Sequence, residues 1–425
     1  MNKIEWFGEL PSTWDVTRLK NVLIERNESN KPVKTDFILS LTNDRGVIPY
    51  SEKGAVGNNS KDDITGYKLA YPKDLVLNSM NVVIGSVGIS KYFGCVSPVY
   101  YMLRPRNHED PVEFYNYLFQ TNEMQSALKG YGNGIMEIRM RIAMSKLNTF
   151  NLPIPSSQAQ RKIVDRIRES ENRIDQLIAN QQQQIEKLKE YKQSLISEVV
   201  TKGLDPNVEF KDSGIEWIGK IPKYWNLSRI KDLLSIPLFY GSNKAGDLFN
   251  EDYPRYIRIT DIQEDSLTTD ISNMQSYLHS DYKKYLLQEN DVLFARSGAT
   301  SGKTYLVKHE DINNVFAGYL INGRFDQDKI NPYFFNYYTK SSIWDMWKNY
   351  IFIQATIQNI SAEKFNSFIL SVPTIEDQNR IVDFLNTKMN KLDELIRLKK
   401  NKVAKLENFK KSLIYEYVTG MKEVS

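Results

Sequence analysis

Residues 4–23 read IEWFGELPSTWDVTRLKNVL, and residues 215–234 read IEWIGKIPKYWNLSRIKDLL. Trp6, Gly8, Pro11, Trp14, Arg18 and Lys20 return as Trp217, Gly219, Pro222, Trp225, Arg229 and Lys231, each 211 positions further on. A match of that quality fixes the architecture before any local reading: the chain is an imperfect tandem repeat.

A second pair of blocks extends it. LPIPSSQAQRKIVDRI at 152–167 answers to LSVPTIEDQNRIVDFL at 370–385, and Pro155, Gln160, Ile163 and Val164 recur as Pro373, Gln378, Ile381 and Val382 at an offset of 218. A third match, KQSLISEVVTKG at 192–203 against KKSLIYEYVTGM at 410–421, ends each half. The offset grows by seven between the first and second blocks, so the net length difference falls in the unlike stretches between them. Shared ends with divergent middles describe one scaffold that carries two different readers.

Residues 157–200 contain no proline or glycine, and Ile163, Ile167, Ile174, Leu177, Ile178, Ile185, Leu188 and Leu195 recur at spacings of three, four and seven. A run of this length predicts a helix of roughly 65 Å. Residues 375–419 repeat the pattern with Ile381, Leu385, Leu392, Leu395, Ile396, Val403, Leu406, Leu413 and Tyr417. Each stripe is too narrow for a globular core and suits one partner helix, so the two copies are expected to pair, antiparallel by preference. The run of glutamines at 181–184 reads as part of a solvated face. Between the halves, GLDPNVEFKDSG at 203–214 has turn residues and no periodicity, which marks a linker.

At 425 residues the chain has room for two to four units, each with its own core. Hydrophobic content of 41% and charged content of 25% describe a globular protein, and the net charge of +4 permits nucleic-acid binding without demanding it. Neither a membrane-length apolar run nor a signal-like N-terminus is present, so a cytoplasmic location is expected. The one cysteine, Cys95, excludes an internal disulfide or a cysteine metal cluster, and His108, His279 and His309 are too scattered for a ligand set.

The middles mix short β-like runs, VVIGSVGI at 82–89, PRYIRITDI at 254–262 and DVLFARSG at 291–298, with short helical segments. Asp110-Pro111 and Asn331-Pro332 each place an N-cap residue before a proline at a helix start. The expected fold is α+β: two globular domains separated by two long helices in an antiparallel coiled coil, with a pseudo-twofold internal repeat. The expected division is a first globule at 1–152, a central helix at 153–203, a linker at 204–214, a second globule at 215–370 and a C-terminal helix at 371–425.

Two half-repeats, each opening W-x-G-x-x-P-x-x-W-x-x-x-R-x-K and closing on a P-x-x-x-x-Q junction and a long helix, resemble the specificity subunits of type I restriction-modification systems. The junction departs from the family's usual pattern by placing Ala159 and Asp377 where Glu is common, while Gln160 and Gln378 are kept. The resemblance implies a non-catalytic subunit that binds a bipartite double-stranded DNA target through two target-recognition domains, with the helices as a ruler. It further implies two modification subunits that methylate adenine N6, restriction subunits that translocate and cut, and no membrane. S-adenosylmethionine, ATP and Mg are expected on those partners, with no cofactor on this chain. The reading from a different class is a coiled-coil protein-interaction adaptor without DNA specificity, and an adjacent adenine methyltransferase gene would argue against it.

Base reading calls for Arg, Lys, Asn and Gln at exposed turns, and phosphate positioning for Lys, Arg, Ser, Thr and Tyr. In the first reader Asn43, Arg45, Tyr131, Asn133, Arg139 and Arg141 meet that description. In the second, Tyr240, Asn243, Lys244, Arg255, Arg258, Arg296, Ser297, Thr300, Lys303, Gln354, Thr356 and Gln358 do. SGATSGKT at 297–304 has Ser297 where a phosphate-binding loop needs its first glycine. NPYF at 331–334 lacks the second proline of a base-holding methyltransferase motif and has an ordinary helix start as its counterpart, and Cys95 lies in an apolar run. No catalytic constellation is expected.

Overall fold

A computed structural model describes residues 3–4, 6, 8–43, 45–54, 63–132, 141–263, 269–353 and 359–423. The chain divides into two compact units, one formed by Met1–Gln182 with Lys400–Ser425 and the other by Gln183–Lys399. Both mix helix and sheet.

The first unit is built on a four-stranded antiparallel sheet in the order Leu23–Arg26, Tyr100–Pro105, Leu75–Asn78, Val87–Ile89. Leu75–Asn78 is buried at every position, as an apolar run covered on both faces must be. The chain turns into that strand through Lys73, at φ 70°, and the Asp74 carboxylate accepts from the Tyr71 N–H at 2.9 Å and pairs with Arg26 at 3.3 Å. Burial pushes the Asp74 carboxyl above the usual carboxylate range, against the pull of the Tyr71 N–H and then of Arg26. Phe114, Tyr115, Leu118 and Phe119, from the helix Val112–Phe119, share one core with Trp14, Phe150, Ile163, Ile167, Leu413, Tyr417 and Val418. Side chains of this size contribute about 1.5–3 kcal/mol each when fully buried, so the long-helix residues belong to the domain's core.

The second unit repeats the frame. Its four-stranded sheet runs Phe239–Tyr240, Leu320–Gly323, Val292–Ala295, Thr304–Leu306, again antiparallel. Asn290 has φ 70°, and Asp291 accepts from the Gln288 N–H at 2.9 Å, from Arg324 at 2.7 Å and from Asn322 at 2.8 Å. Lys73-Asp74 and Asn290-Asp291 are the same turn, used twice. Trp225, Trp344, Phe365 and Phe368 fill the core.

What is hung on each frame differs. The first unit inserts a hairpin, Leu39–Thr42 against Gly46–Pro49, over a small core of Leu39, Leu41, Val47 and Met102. The second inserts Asp247–Leu248 against Gln275–Ser276, while its parallel pairing of Tyr256–Ile257 with Val315–Phe316, over Ile257, Leu287, Tyr305 and Phe316, is repeated in the first unit by the parallel bridge of Ile38 to Cys95.

The long helices are Ser157–Lys202 and Ile375–Val418. Along the first, residues 167, 171, 174, 178, 181, 185, 188, 192, 195 and 199 are buried or half-buried at alternating steps of four and three. Along the second, 385, 389, 392, 396, 399, 403, 406, 410, 413 and 417 keep the same rhythm, a 3.5-residue period. Polar side chains interrupt both seams. In the first unit Lys410 reaches Asp175 at 2.9 Å and Glu171 at 3.5 Å. In the second, Lys399 bonds Gln184, and Lys192 meets Asp393 at 2.5 Å. Gln181 is buried on this seam, which corrects its reading as solvated face, while Leu177 and Leu395, expected on the stripe, are exposed.

The shared glutamines lock each helix to its domain. Gln160 Nε2 donates to the Pro155 carbonyl at 3.1 Å, and Gln378 Nε2 to the Pro373 carbonyl at 2.9 Å. Asn331 caps its helix by accepting from the Tyr333 N–H at 2.8 Å. Asp110 does not cap; its carboxylate accepts from Tyr115 at 2.8 Å and Ser157 at 2.5 Å, tying one helix start to another. Among the described residues, no helix is long and apolar enough to cross a membrane.

Candidate nucleic-acid interface

In the second unit the strand Val292–Ala295 delivers the chain to Arg296 at the sheet's end, and Arg296 is held by what it meets there. Its backbone N–H donates to the Tyr319 carbonyl at 3.1 Å, and its carbonyl accepts from the Ile360 N–H at 2.8 Å. Its guanidinium lies 4.8 Å from the centre of the Tyr240 ring and donates to Asn359 Oδ1 at 3.4 Å. The Tyr240 hydroxyl in turn accepts from the Ala362 N–H at 3.1 Å. Ser297 bridges to Asn359, and Tyr319 is 63% exposed. A cation on an aromatic face beside exposed polar groups can hold a phosphate or stack on a base.

Beside this cluster runs the loop 241–244. Gly318 N–H donates to the Ser242 carbonyl at 2.7 Å, and Ser242 N–H to the Phe316 carbonyl at 2.9 Å. The Tyr256 hydroxyl donates to the carbonyls of Ser242 and Lys244, at 2.7 and 2.8 Å. Burial pushes that hydroxyl up to about 12, so it remains a donor at neutral pH. Ser242 Oγ and the Tyr277 hydroxyl are 2.7 Å apart, Tyr277 donates to Asp281 at 2.9 Å, and Lys244 Nζ meets Asp281 at 3.0 Å. The Lys244 hydrogen bond holds the Asp281 carboxyl below its usual range.

The structure therefore brings together Tyr240, Asn243, Lys244, Arg296 and Ser297. Thr300 and Lys303 share the turn that follows, where the Lys303 N–H donates to the Thr300 carbonyl at 3.0 Å and Lys303 Nζ to the Gln263 carbonyl at 2.7 Å. Arg255 and Arg258 point elsewhere. Arg255 donates to Thr269 Oγ1 at 2.9 Å and the Asp270 carbonyl at 2.7 Å and stands 3.9 Å from Asp311. Arg258 is bonded to Asp261 at 2.7 Å and to the Asn273 carbonyl at 2.8 Å. Gln354, Thr356 and Gln358 lie outside the described residues.

Hydrogen-bond register transfers this patch to the first unit. Ser79 N–H donates to the Val99 carbonyl at 3.3 Å, and Ile142 N–H to the Ser79 carbonyl at 2.9 Å. Ser79 thus answers to Arg296, Val99 to Tyr319, and exposed Arg141 to Asn359. Asn43 and Arg45 sit elsewhere, exposed on the inserted hairpin's turn, with Arg45 donating to the Glu52 carbonyl at 3.1 Å. Tyr131 packs its ring 5.1 Å from Phe150, at the edge of the core. Asn133 and Arg139 lie outside the described residues. Sequence reading overlooked Tyr319 and Asn359, because aligning Lys73-Asp74 with Asn290-Asp291 sets them against Met102 and Ile142, and only the hydrogen-bond register pairs them with Val99 and Arg141.

The remaining motifs take structural places. SGATSGKT leads through a 3-10 turn at Gly298–Thr300 into the strand Thr304–Leu306, whereas a phosphate loop opens a helix. Asn331 is occupied as a cap, Cys95 is fully buried, and among the described residues no group of His, Cys, Asp and Glu is placed to hold a metal.

Two equivalent frames that carry unlike loops define a protein with two recognition modules on one chain. The family model for the type I restriction modification DNA specificity domain matches it twice, over residues 11–187 and 222–418. The chain belongs to that family: it is a specificity subunit with two recognition domains. It is 22% identical to the type I restriction enzyme MjaVIII specificity subunit of Methanocaldococcus jannaschii, over 97% of this chain and 93% of that one. It is also 22% identical to the EcoBI specificity subunit of Escherichia coli, over 85% of this chain and 80% of the other. Among solved structures, a chain from a study of type I R-M assembly and conformational transition matches with a TM-score of 0.73 at 14% identity, covering 97% of this chain and 99% of that one. The HsdS subunit from Thermoanaerobacter tengcongensis matches with a TM-score of 0.55 at 14% identity, over 97% and 98% of the two chains. At such identity these likenesses speak for the fold.

Proposed function

We propose that this chain reads a bipartite double-stranded DNA target, one half-site through each recognition domain, and presents it to two adenine-N6 modification subunits and to restriction subunits. The chain contributes no catalytic group and binds no cofactor; S-adenosylmethionine, ATP and Mg act on the partners. The work is cytoplasmic.

The observation that carries this reading is one sheet frame used twice with different side chains at the same sheet end: Arg296, Tyr319 and Asn359 in one domain, Ser79, Val99 and Arg141 in the other. Unlike surfaces on like frames suit unlike half-sites. The candidate contacts are Tyr240, Asn243, Lys244, Arg296, Ser297, Thr300 and Lys303 in the second domain, and Asn43, Arg45 and Arg141 in the first. The long helices form an antiparallel coiled coil that sets the spacing, since readers on one face of B-DNA stand roughly 34–36 Å apart per helical turn. Its support is the four-three seam and the pairs 184 with 399 and 192 with 393, in which one number falls as the other rises.

Long-read mapping of methylated adenines in a host that carries this chain with its modification subunit tests the proposal. A split motif, two specified parts around an unspecified spacer, is expected. A contiguous motif, or none with an active modification subunit, overturns it.

A further inference from the structure

A side chain that reads a base needs an exposed polar end, free hydrogen-bonding capacity, and a backbone that does not move when DNA arrives. Asn243 meets all three conditions. It is exposed, and among the described residues its amide makes no hydrogen bond, so a donor and an acceptor are both available. The backbone on either side is pinned, with the Ser242 carbonyl accepting from both Gly318 N–H at 2.7 Å and the Tyr256 hydroxyl at 2.7 Å. Lys244 N–H donates to Ser242 Oγ at 3.2 Å, and its carbonyl accepts from the same Tyr256 hydroxyl at 2.8 Å. Gly318 leaves the space that Asn243 uses: a Cβ there would stand 2.0 Å from Asn243 Oδ1.

The chemistry of the free amide selects its base. One donor and one acceptor side by side match the N7 acceptor and N6 donor on the major-groove edge of adenine, whereas guanine offers two acceptors and calls for two donors. We infer that Asn243 reads an adenine in the half-site of the second recognition domain and that Tyr256 is the positioning residue that holds it there. The inference rests on the DNA-reading function proposed above.

The test uses the full chain in complex with its modification subunits, on the split target found for the wild type and on duplexes with each base pair of that target exchanged in turn. N243A is expected to bind the target on the order of tenfold more weakly and to lose discrimination at one adenine, with every other position still read. Y256F, which keeps the ring and removes the shared proton, is expected to blur that same adenine and leave the other half-site unchanged, a pattern that general destabilisation would not produce. Should Y256F fail to fold, exposed Asn243 still decides the assignment. Full discrimination by N243A at every position, or loss at a base other than adenine, overturns it. A wild-type complex with no split motif overturns the DNA-reading function and this assignment together, whereas a split motif with an indifferent N243A overturns the assignment alone.

Discussion

Arg255 and Arg296 belong to one recognition domain and differ in what surrounds the guanidinium. Arg255 is 10% exposed at its side chain and faces Asp311, itself 2% exposed; removing it takes a cation away from a buried carboxylate that the Tyr305 hydroxyl still bonds and leaves the groups that held the guanidinium without their donor. R255A is expected to cost about 3 kcal/mol of folding stability, read by denaturant unfolding, without changing which bases are preferred. R296A is expected to leave the unfolding midpoint near the wild type and to weaken target binding by about 1–3 kcal/mol, read by fluorescence anisotropy. R296K does not restore it, because an ammonium lacks the planar face that lies over Tyr240. Opposite outcomes, with R296A unfolding the domain and R255A abolishing binding to folded protein, would reverse the two roles. Sequence reading could not separate these arginines. The alternation in RYIRI marks a strand-like polar face, but Thr269, Asp270 and Asp311, which turn the guanidinium inward, come from elsewhere in the chain.

At the scale of elements, the long helices were legible because period and length agree over dozens of residues, and no short-range competitor offers the same pattern. The sheet frame was legible only in part. Val292–Ala295 and Val87–Ile89 fall within runs read as β-like, whereas Leu75–Asn78, four residues buried throughout, carries no alternation to distinguish strand from buried helix. The helix seam makes its own prediction. Lys410 lies between Glu171 and Asp175, so K410E places three carboxylates together and is expected to lower stability by about 1 kcal/mol, with E171K recovering much of it in the double variant. Additive losses in that cycle would deny the pair. Gly420 ends the second helix at φ 71°, where an added Cβ would stand 2.5 Å from Pro11 Cγ. G420A is therefore expected to cost about 1–2 kcal/mol in thermal unfolding, and a neutral result would show that this end is not packed as described.

For the whole molecule, the tandem repeat in the IEW blocks made two units legible, yet not their composition, because Lys400–Ser425 from the far end of the sequence completes the first, while the second runs without a break over Gln183–Lys399. Two frames with unlike loops should act independently on DNA. The most direct measurement is long-read methylation mapping of R141A and R296A beside the wild type, each with the same modification subunit. The account predicts a split motif for the wild type, with R141A relaxing one half only and R296A relaxing the other only. A wild-type motif that is contiguous, or single substitutions that each disturb both halves, would contradict two separate readers on one chain.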